Sequence, residues 1–137
     1  MSEEKKYDLA GLVNIVAELR GENGCPWDKE QTHETMVKHL REECEEVIEA
    51  IESKDDENLC EELGDVLFQV VMHSQIATER GVFAIEDVID YVAKKMVRRH
   101  PHVFSGMKIE TEEERRAMWQ DIKKQEKAEK NSSHFTG

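Results

Sequence analysis

Two pairs of acidic residues lie where the helical pattern of the sequence calls for apolar side chains. The run E-E-C-E-E contains Glu43 and Glu46, and the later stretch E-L-G-D contains Glu62 and Asp65. The members of each pair are three positions apart, so a helix places both carboxylates on one face. Burying an unpaired carboxylate costs several kcal/mol even after relaxation. The acids must therefore be protonated, be paired with Lys or Arg, or hold a metal ion.

The helical wheel separates these inward acids from their solvated neighbours. Glu43 falls within the apolar arc of its helix and Glu46 lies at the edge of that arc. Glu62 lies beside the apolar stripe of the next helix, and Asp65 follows one turn later on the same side. Two antiparallel helices can bring four such carboxylates to one point, and oxygen ligands alone favour Mg²⁺, Mn²⁺ or Ca²⁺ over zinc. The remaining acids of the first run point outward: Glu42, Glu45 and Glu49.

Cations end a later helix, in the run K-K-M-V-R-R. Arg99 lies inside the apolar stripe and Lys95 lies beside it, whereas Arg98 turns outward but is kept as a candidate substrate contact. In one interpretation the negative end of the helix dipole favours these cations, and they pair with the buried acids of a non-enzymatic interaction module. In the other interpretation they bind phosphate oxygens. The spacing of the residues leaves both open.

Carboxylates that hold a divalent cation, together with cations that hold phosphate, favour water attack on phosphorus. The metal would lower the pKa of a bound water, and a spare carboxylate could deprotonate it. Glu42 is the candidate base, although its wheel position is less inward than the role requires. The sequence has no G-x-x-x-x-G-K loop, so this chemistry would proceed without a P-loop. A di-iron bundle needs E-x-x-H pairs on core helices, and Glu30 with His33 is at a helix start instead.

Helices alone are predicted to position these groups, because long strand-like alternation is nearly absent. Helical periodicity covers residues 7–20, 33–53, 57–79, 85–99 and about 111–130. The third of these segments is apolar nearly all round, which predicts that protein encloses it. Four main helices with short connections predict an all-α fold with an antiparallel four-helix bundle core and an extra C-terminal helix.

Several residues mark the predicted ends of these helices. Asp28 with Gln31, and Thr111 with Glu114, have the spacing of capping boxes. Gly81 suits the C-terminal end of the third helix. We expect a core over residues 1–109, a helical extension over 110–130 and a disordered tail over 131–137.

Composition narrows the class of protein. The chain has 137 residues, enough for one domain, and a net charge of −12, which argues against binding a nucleic-acid polymer. No apolar run is long enough for a membrane span. Its three cysteines are odd in number and lack zinc spacing, so we expect reduced thiols in a cytoplasmic protein: Cys25, Cys44 and Cys60.

Taken together, the motifs resemble the MazG type of the all-α nucleoside triphosphate pyrophosphohydrolases. The acid signature is accompanied by G-C-P-W-D-K-E-Q-T, E-L-G-D-V-L-F-Q-V-V and R-R-H-P-H-V-F, and W-Q-D-I-K-K resembles a C-terminal element of that type. The similarity covers about residues 9–124. It implies Mg²⁺-dependent hydrolysis of nucleoside triphosphates to monophosphate and pyrophosphate, with Mn²⁺ as a substitute, in clearance of the nucleotide pool. It also implies a homodimer or dimer of dimers that completes the bundle.

The resemblance further implies roles for single residues. The family's metal ligands match Glu43, Glu46, Glu62 and Asp65. Its phosphate-linked positions match Lys95 and Arg99, and its activity-linked tail positions match Trp119 and Lys123. Trp27 either stacks on the substrate base or covers the end of the bundle. MazG proteins often carry two such modules and this sequence has one, so roles that need the second module do not carry over.

Overall fold

A computed structural model describes residues 5–130, and its regular elements in that range are all α-helices. They are α1 (Leu9–Leu19), α2 (Pro26–Glu30), α3 (Val37–Glu52), α4 (Asp56–Glu79), α5 (Ile85–Arg99), α6 (Pro101–Phe104) and α7 (Glu112–Lys130). The all-α prediction is therefore confirmed, and the tail predicted over 131–137 lies outside the described residues. The chain forms two compact units, Met1–Ile85 and Glu86–Gly137.

The ends of the long helices follow the predicted signals closely. Gly81, just after α4, has a φ of 73°, the left-handed conformation that glycine adopts without strain. At the start of α7 the Glu114 backbone N–H donates to Thr111 Oγ1 at 3.1 Å. The carboxylate of Glu114 accepts from the Glu110 N–H at 3.0 Å, so the capping box reaches one residue further back than its usual form.

The segment before α3 differs from the prediction. The proposed cap by Asp28 is wrong, because a short helix runs through it from Pro26, and proline suits a first helical position. The next helix was expected from residue 33 but begins at Val37. Thr32 and Thr35 exchange hydrogen bonds between each hydroxyl and the other's backbone N–H, at 2.8 and 3.2 Å. Such side-chain bonds compete with helical ones and delay the helix.

In the first unit, α4 packs against α3 and α1. The core residues of this unit are Val16, Met36, Ala50, Val71, Met72, Ile76, Ala77 and Ile85. The prediction that protein encloses α4 holds for its second half only, since Leu63 is 51% exposed and Leu67 is also exposed. Ile51 of α3 is exposed as well. The first half of α4, which carries Glu62, thus has an uncovered apolar side.

Arg20 joins three parts of the first unit. Its guanidinium binds both carboxylate oxygens of Glu79 at 2.8 Å and donates to the backbone carbonyls of Asp28 and Gln31. The side chain of Arg20 is only 7% exposed. It therefore fixes the end of α1 to the end of α4 and to the α2 segment.

We expect Arg20→Ala to lower the free energy of unfolding by about 2–4 kcal/mol, because it removes four hydrogen bonds to one carboxylate and two carbonyls. Urea denaturation followed by circular dichroism measures this. Arg80→Ala, at an exposed neighbouring position, is the matched control and should change stability by no more than about 0.5 kcal/mol. Equal losses in the two variants would contradict the structural role of Arg20.

The second unit contains nearly all of α5, with α6 and α7, and Ile122 is its most buried apolar residue. Most of the predicted apolar stripe of α5 remains accessible, including Ile89, Val92 and Met96. Among residues 5–130, no helix combines the length and the apolar character that crossing a lipid bilayer demands.

Candidate functional site

The four acids singled out by their spacing converge in the first unit. One carboxylate oxygen from each of Glu43, Glu46, Glu62 and Asp65 lies within 4.8 Å of the other three. Helix α3 supplies the first two acids and α4 supplies the second two. Glu43 and Glu62 are half-buried, while Glu46 and Asp65 are exposed. The convergence expected from two packed helices is therefore present, and we call these four residues the acid cluster.

Mutual repulsion and burial raise the pKa values of the two half-buried members of the acid cluster, Glu43 and Glu62. A hydrogen bond with Glu46 raises the pKa of Glu62 to about 7, with further contributions from burial and from the neighbouring charges. Burial is the main cause that raises the pKa of Glu43, followed by the charges of Glu46 and Asp65. Both inner carboxyls thus keep their protons to a higher pH than an ordinary glutamate does.

The acid cluster fits a hard divalent cation. One oxygen each of Glu43 and Glu62, both Oε2, is buried without a hydrogen-bond partner. Buried polar atoms are normally paired, and an unpaired acceptor beside three other carboxylates indicates a missing positive charge. All donors are carboxylate oxygens, the ligands that Mg²⁺, Mn²⁺ and Ca²⁺ prefer. These four residues could therefore hold such an ion.

Glu42, the candidate base, lies outside the acid cluster. It is exposed on α3 and its carboxylate is 3.9 Å from Lys38 Nζ, a weak surface pair. It precedes Glu46 by one helical turn, so the two side chains are neighbours on the helix surface. The structure thus places Glu42 at the border of the cluster and not within it.

The cations of α5 meet an acid of α7 inside the second unit. Glu126 accepts from Arg98 Nε at 3.1 Å, from Arg99 Nε at 3.0 Å and from Arg99 Nη2 at 2.9 Å. The prediction that Arg98 turns outward is wrong: its side chain is 29% exposed and that of Arg99 is 30% exposed. The carboxylate of Glu126 holds Arg98 beside Arg99.

Trp119 lies against the same group of cations. The guanidinium of Arg99 is 5.1 Å from the centre of the Trp119 ring, and Lys123 Nζ is 5.5 Å from it. Both distances are within the range of cation–π attraction. Lys95 lines a cavity of about 320 Å³ together with Arg98 and Arg99. The structure therefore brings the predicted residues of the second unit together.

Trp27 lies in the first unit, on α2, and is 74% exposed. The described chain does not cover its ring, and both of its predicted roles stay predictions. Its exposed ring remains available to stack on a planar ligand.

Sequence reasoning missed one further charged partner, Glu126. It follows Trp119 by seven residues and Ile122 by four, so all three lie on one face of α7. The wheel argument that identified Glu43 and Glu62 would have found this acid too.

His33 and His73 form an unexpected pair. Their Nδ1 atoms are 2.8 Å apart and their rings are stacked, with 5.1 Å between the centres. The Nε2 atom of His73 is buried without a hydrogen-bond partner. Burial, assisted by the charge of His33, lowers the pKa of His73. The pair joins the segment before α3 to α4.

Comparison with known proteins places this geometry in a family. The model of the MazG nucleotide pyrophosphohydrolase domain matches residues 31–104, which contain the whole acid cluster and Arg99. The chain is 50% identical over 127 residues to an uncharacterized protein, YabN, of Bacillus subtilis, covering 93% of this chain and 25% of YabN. It is 53% identical over 124 residues to a nucleoside triphosphate pyrophosphohydrolase/pyrophosphatase MazG of Thermotoga maritima, covering 90% of this chain and 47% of that protein.

The chain thus spans a quarter to about half of the length of these curated relatives. Among solved structures, it is similar to a mazG-related protein from Thermotoga maritima, with a TM-score of 0.70 and 33% sequence identity over 85% of this chain and 99% of that one. The fold is thus shared with that structure, and the residues that the family model matches contain the acid cluster. The chain belongs to the MazG nucleotide pyrophosphohydrolase domain family.

Proposed function

We propose that this chain hydrolyses nucleoside triphosphates to nucleoside monophosphate and pyrophosphate, with Mg²⁺ as the cation and Mn²⁺ as a substitute. The observation that carries the proposal is the acid cluster, whose inner carboxyls have raised pKa values and buried, unpartnered oxygens. The family membership of the chain and the name of its Thermotoga maritima relative support the same reaction. Clearance of unwanted nucleotides is the role that suits such a reaction.

We assign the acid cluster to the cation. Such an ion would neutralise charge on the phosphates and lower the pKa of a bound water. Glu42 is our candidate for the group that accepts a proton from the attacking water, because its carboxylate lies one turn from the cluster. Its exposed position leaves it accessible to a ligand.

We assign phosphate binding to Lys95, Arg98 and Arg99, whose guanidinium forks and ammonium group suit anionic oxygens. Trp119 supports Arg99, whose guanidinium lies over the indole ring, and Lys123 lies over the same ring. For Trp27 we propose stacking on the base, which its exposed ring permits. Residues 1–109 would then be the core, and 110–130 an extension that contributes Trp119 and Lys123.

We also propose that the active form is a homodimer or a dimer of dimers, in which a second copy completes the four-helix bundle. Leu63, Leu67 and Val70 form an exposed apolar row along α4 at helical spacing. A side chain added at Gly64 would meet nothing within 4 Å in this chain, so the backbone there is open to the approach of a second copy. An apolar row of this kind favours protein association.

The products of the reaction test the proposed function. The protein is incubated with a panel of nucleoside triphosphates and Mg²⁺, and the products are separated by anion-exchange chromatography. We expect monophosphate and pyrophosphate in equal amounts from at least one substrate, and the same products with Mn²⁺. Release of diphosphate and orthophosphate would contradict the proposal, as would the absence of hydrolysis across the panel.

A further inference from the structure

The carboxylate of Glu126 occupies the two guanidinium groups of α5 at once. Besides the three hydrogen bonds given above, it lies 3.1 Å from Arg98 Nη2. Its side chain is 16% exposed. The bond with Arg99, then that with Arg98, lowers the pKa of Glu126 to about 2, so this carboxylate is ionised at every physiological pH.

The geometry around Glu126 is that of an anion site. A carboxylate and a phosphate present similar oxygens to an arginine fork, and both take two parallel N–H donors. The adjoining cavity of about 320 Å³ is lined by five cations, Lys94, Lys95, Arg98, Arg99 and Lys130, and by three carboxylates, Asp90, Glu126 and Glu129. The five cations outnumber the three carboxylates, and displacement of Glu126 would leave a larger excess of positive charge for a ligand with several negative charges.

We propose that Glu126 is an internal competitor for polyphosphate: in the unliganded chain its carboxylate holds Arg98 and Arg99, and the phosphates of a ligand must displace it. The inference deepens the proposed function, on which it rests for the assignment of these arginines to phosphate. It adds a residue of α7 that sets the affinity of the site.

Competition follows from the donors that Glu126 uses. Each guanidinium has five N–H donors in a fixed plane, and Glu126 takes the Nε edge of Arg99 and that of Arg98. An incoming phosphate that needs those donors meets an ionised carboxylate in their place. If the ion pair is closed about ten times more often than it is open, the apparent dissociation constant rises by the same factor. Breaking the pair would also release the last turns of α7 from α5.

Calorimetric titration with inorganic tripolyphosphate, in buffer containing EDTA, tests the inference without turnover. Glu126→Gln keeps the shape of the side chain but removes its charge, and we expect it to bind tripolyphosphate about ten-fold more tightly than the wild type. Glu113→Gln, an equal charge change at an exposed position of the first turn of α7, is the matched control and should bind within about two-fold of the wild type. Arg99→Ala should lose most of the binding.

If the carboxylate of Glu126 only positioned the arginines for phosphate, Glu126→Gln would bind tripolyphosphate more weakly than the wild type. Equal or weaker binding by Glu126→Gln would overturn the inference, as would equal tightening in Glu113→Gln or unchanged binding in Arg99→Ala. Glu126→Asp is a second variant if the first does not fold, since a shorter side chain cannot reach both guanidiniums and should tighten binding by a smaller factor. Tighter binding in a protein that hydrolyses no triphosphate would uphold this inference while the proposed function fails.

Discussion

Glu62→Gln is expected to abolish pyrophosphate release and, at pH 8, to raise the melting temperature of the metal-free protein. Loss of one metal ligand removes several kcal/mol of transition-state stabilisation, so activity should fall by roughly 10³-fold or more. The gain in stability has an electrostatic cause, because the substitution removes one of four converging charges. Hydrolysis assays and thermal melts followed by circular dichroism measure the two effects on the same samples.

The sign of the stability effect follows from the raised pKa of Glu62. A carboxyl with a pKa of about 7 in the folded chain binds its proton more tightly there than in the unfolded chain. Its contribution to stability is present at acidic pH and is lost as the pH rises through about 7. The amide of glutamine carries no charge at any of these pH values, so the variant escapes this loss.

Glu61→Gln is the matched control for this experiment, because Glu61 is an exposed acid next to Glu62 on α4. It should keep its activity and its melting temperature. Mg²⁺ should raise the melting temperature of the wild type and of this control, but not that of Glu62→Gln. If Mg²⁺ stabilises none of the three proteins, the acids are part of an interaction module and not of a metal site.

The affinity for Mg²⁺ is expected to fall about ten-fold for each pH unit below about 7, and to be nearly constant above pH 8. A cation can bind Glu62 only after the proton has left, so protons and Mg²⁺ compete for the acid cluster. Burial also raises the pKa of Glu43, which can make the dependence steeper. The Mg²⁺ concentration that gives half of the thermal shift, measured between pH 5.5 and 8.5, reports this affinity.

The same half-saturation concentration at pH 6 and pH 8 would contradict a metal site built on these acids. The free energy of unfolding is a poorer readout of the acid cluster. As the pH rises, the contribution of Glu62 to stability is lost, whereas that of His73 is gained. The lowered pKa of His73 makes its contribution to stability present above its unfolded pKa and lost as the pH falls. Mg²⁺ affinity isolates the acid cluster from this effect.

Periodicity in the sequence was sufficient to predict the helices and the convergence of the acids. The apolar rhythm of α4 and α5 indicated their ends to within a residue, because Gly81 and Pro101 interrupt the pattern there. Glu43 and Glu62 were recognisable because they stand on apolar faces, where an acid needs a partner. The family resemblance then related those residues to a reaction, which their spacing could not do.

The remaining features depend on contacts that no periodic pattern encodes. The late start of α3 comes from hydrogen bonds between Thr32 and Thr35, and the local sequence also allows a helix there. Arg98 was predicted on the outward face of α5, since the wheel cannot show that Glu126 would hold it. The bidentate pair of Arg20 with Glu79 joins residues that are 59 positions apart, so only the folded chain reveals it.

Removal of the metal tests the central claim most directly. Pyrophosphate release is measured with the best triphosphate of the panel, first with Mg²⁺, then with excess EDTA, and then after Mg²⁺ is restored. We predict that EDTA reduces the rate to background and that restored Mg²⁺ recovers it fully. An undiminished rate in EDTA would contradict the assignment of Glu43, Glu46, Glu62 and Asp65 to a catalytic cation.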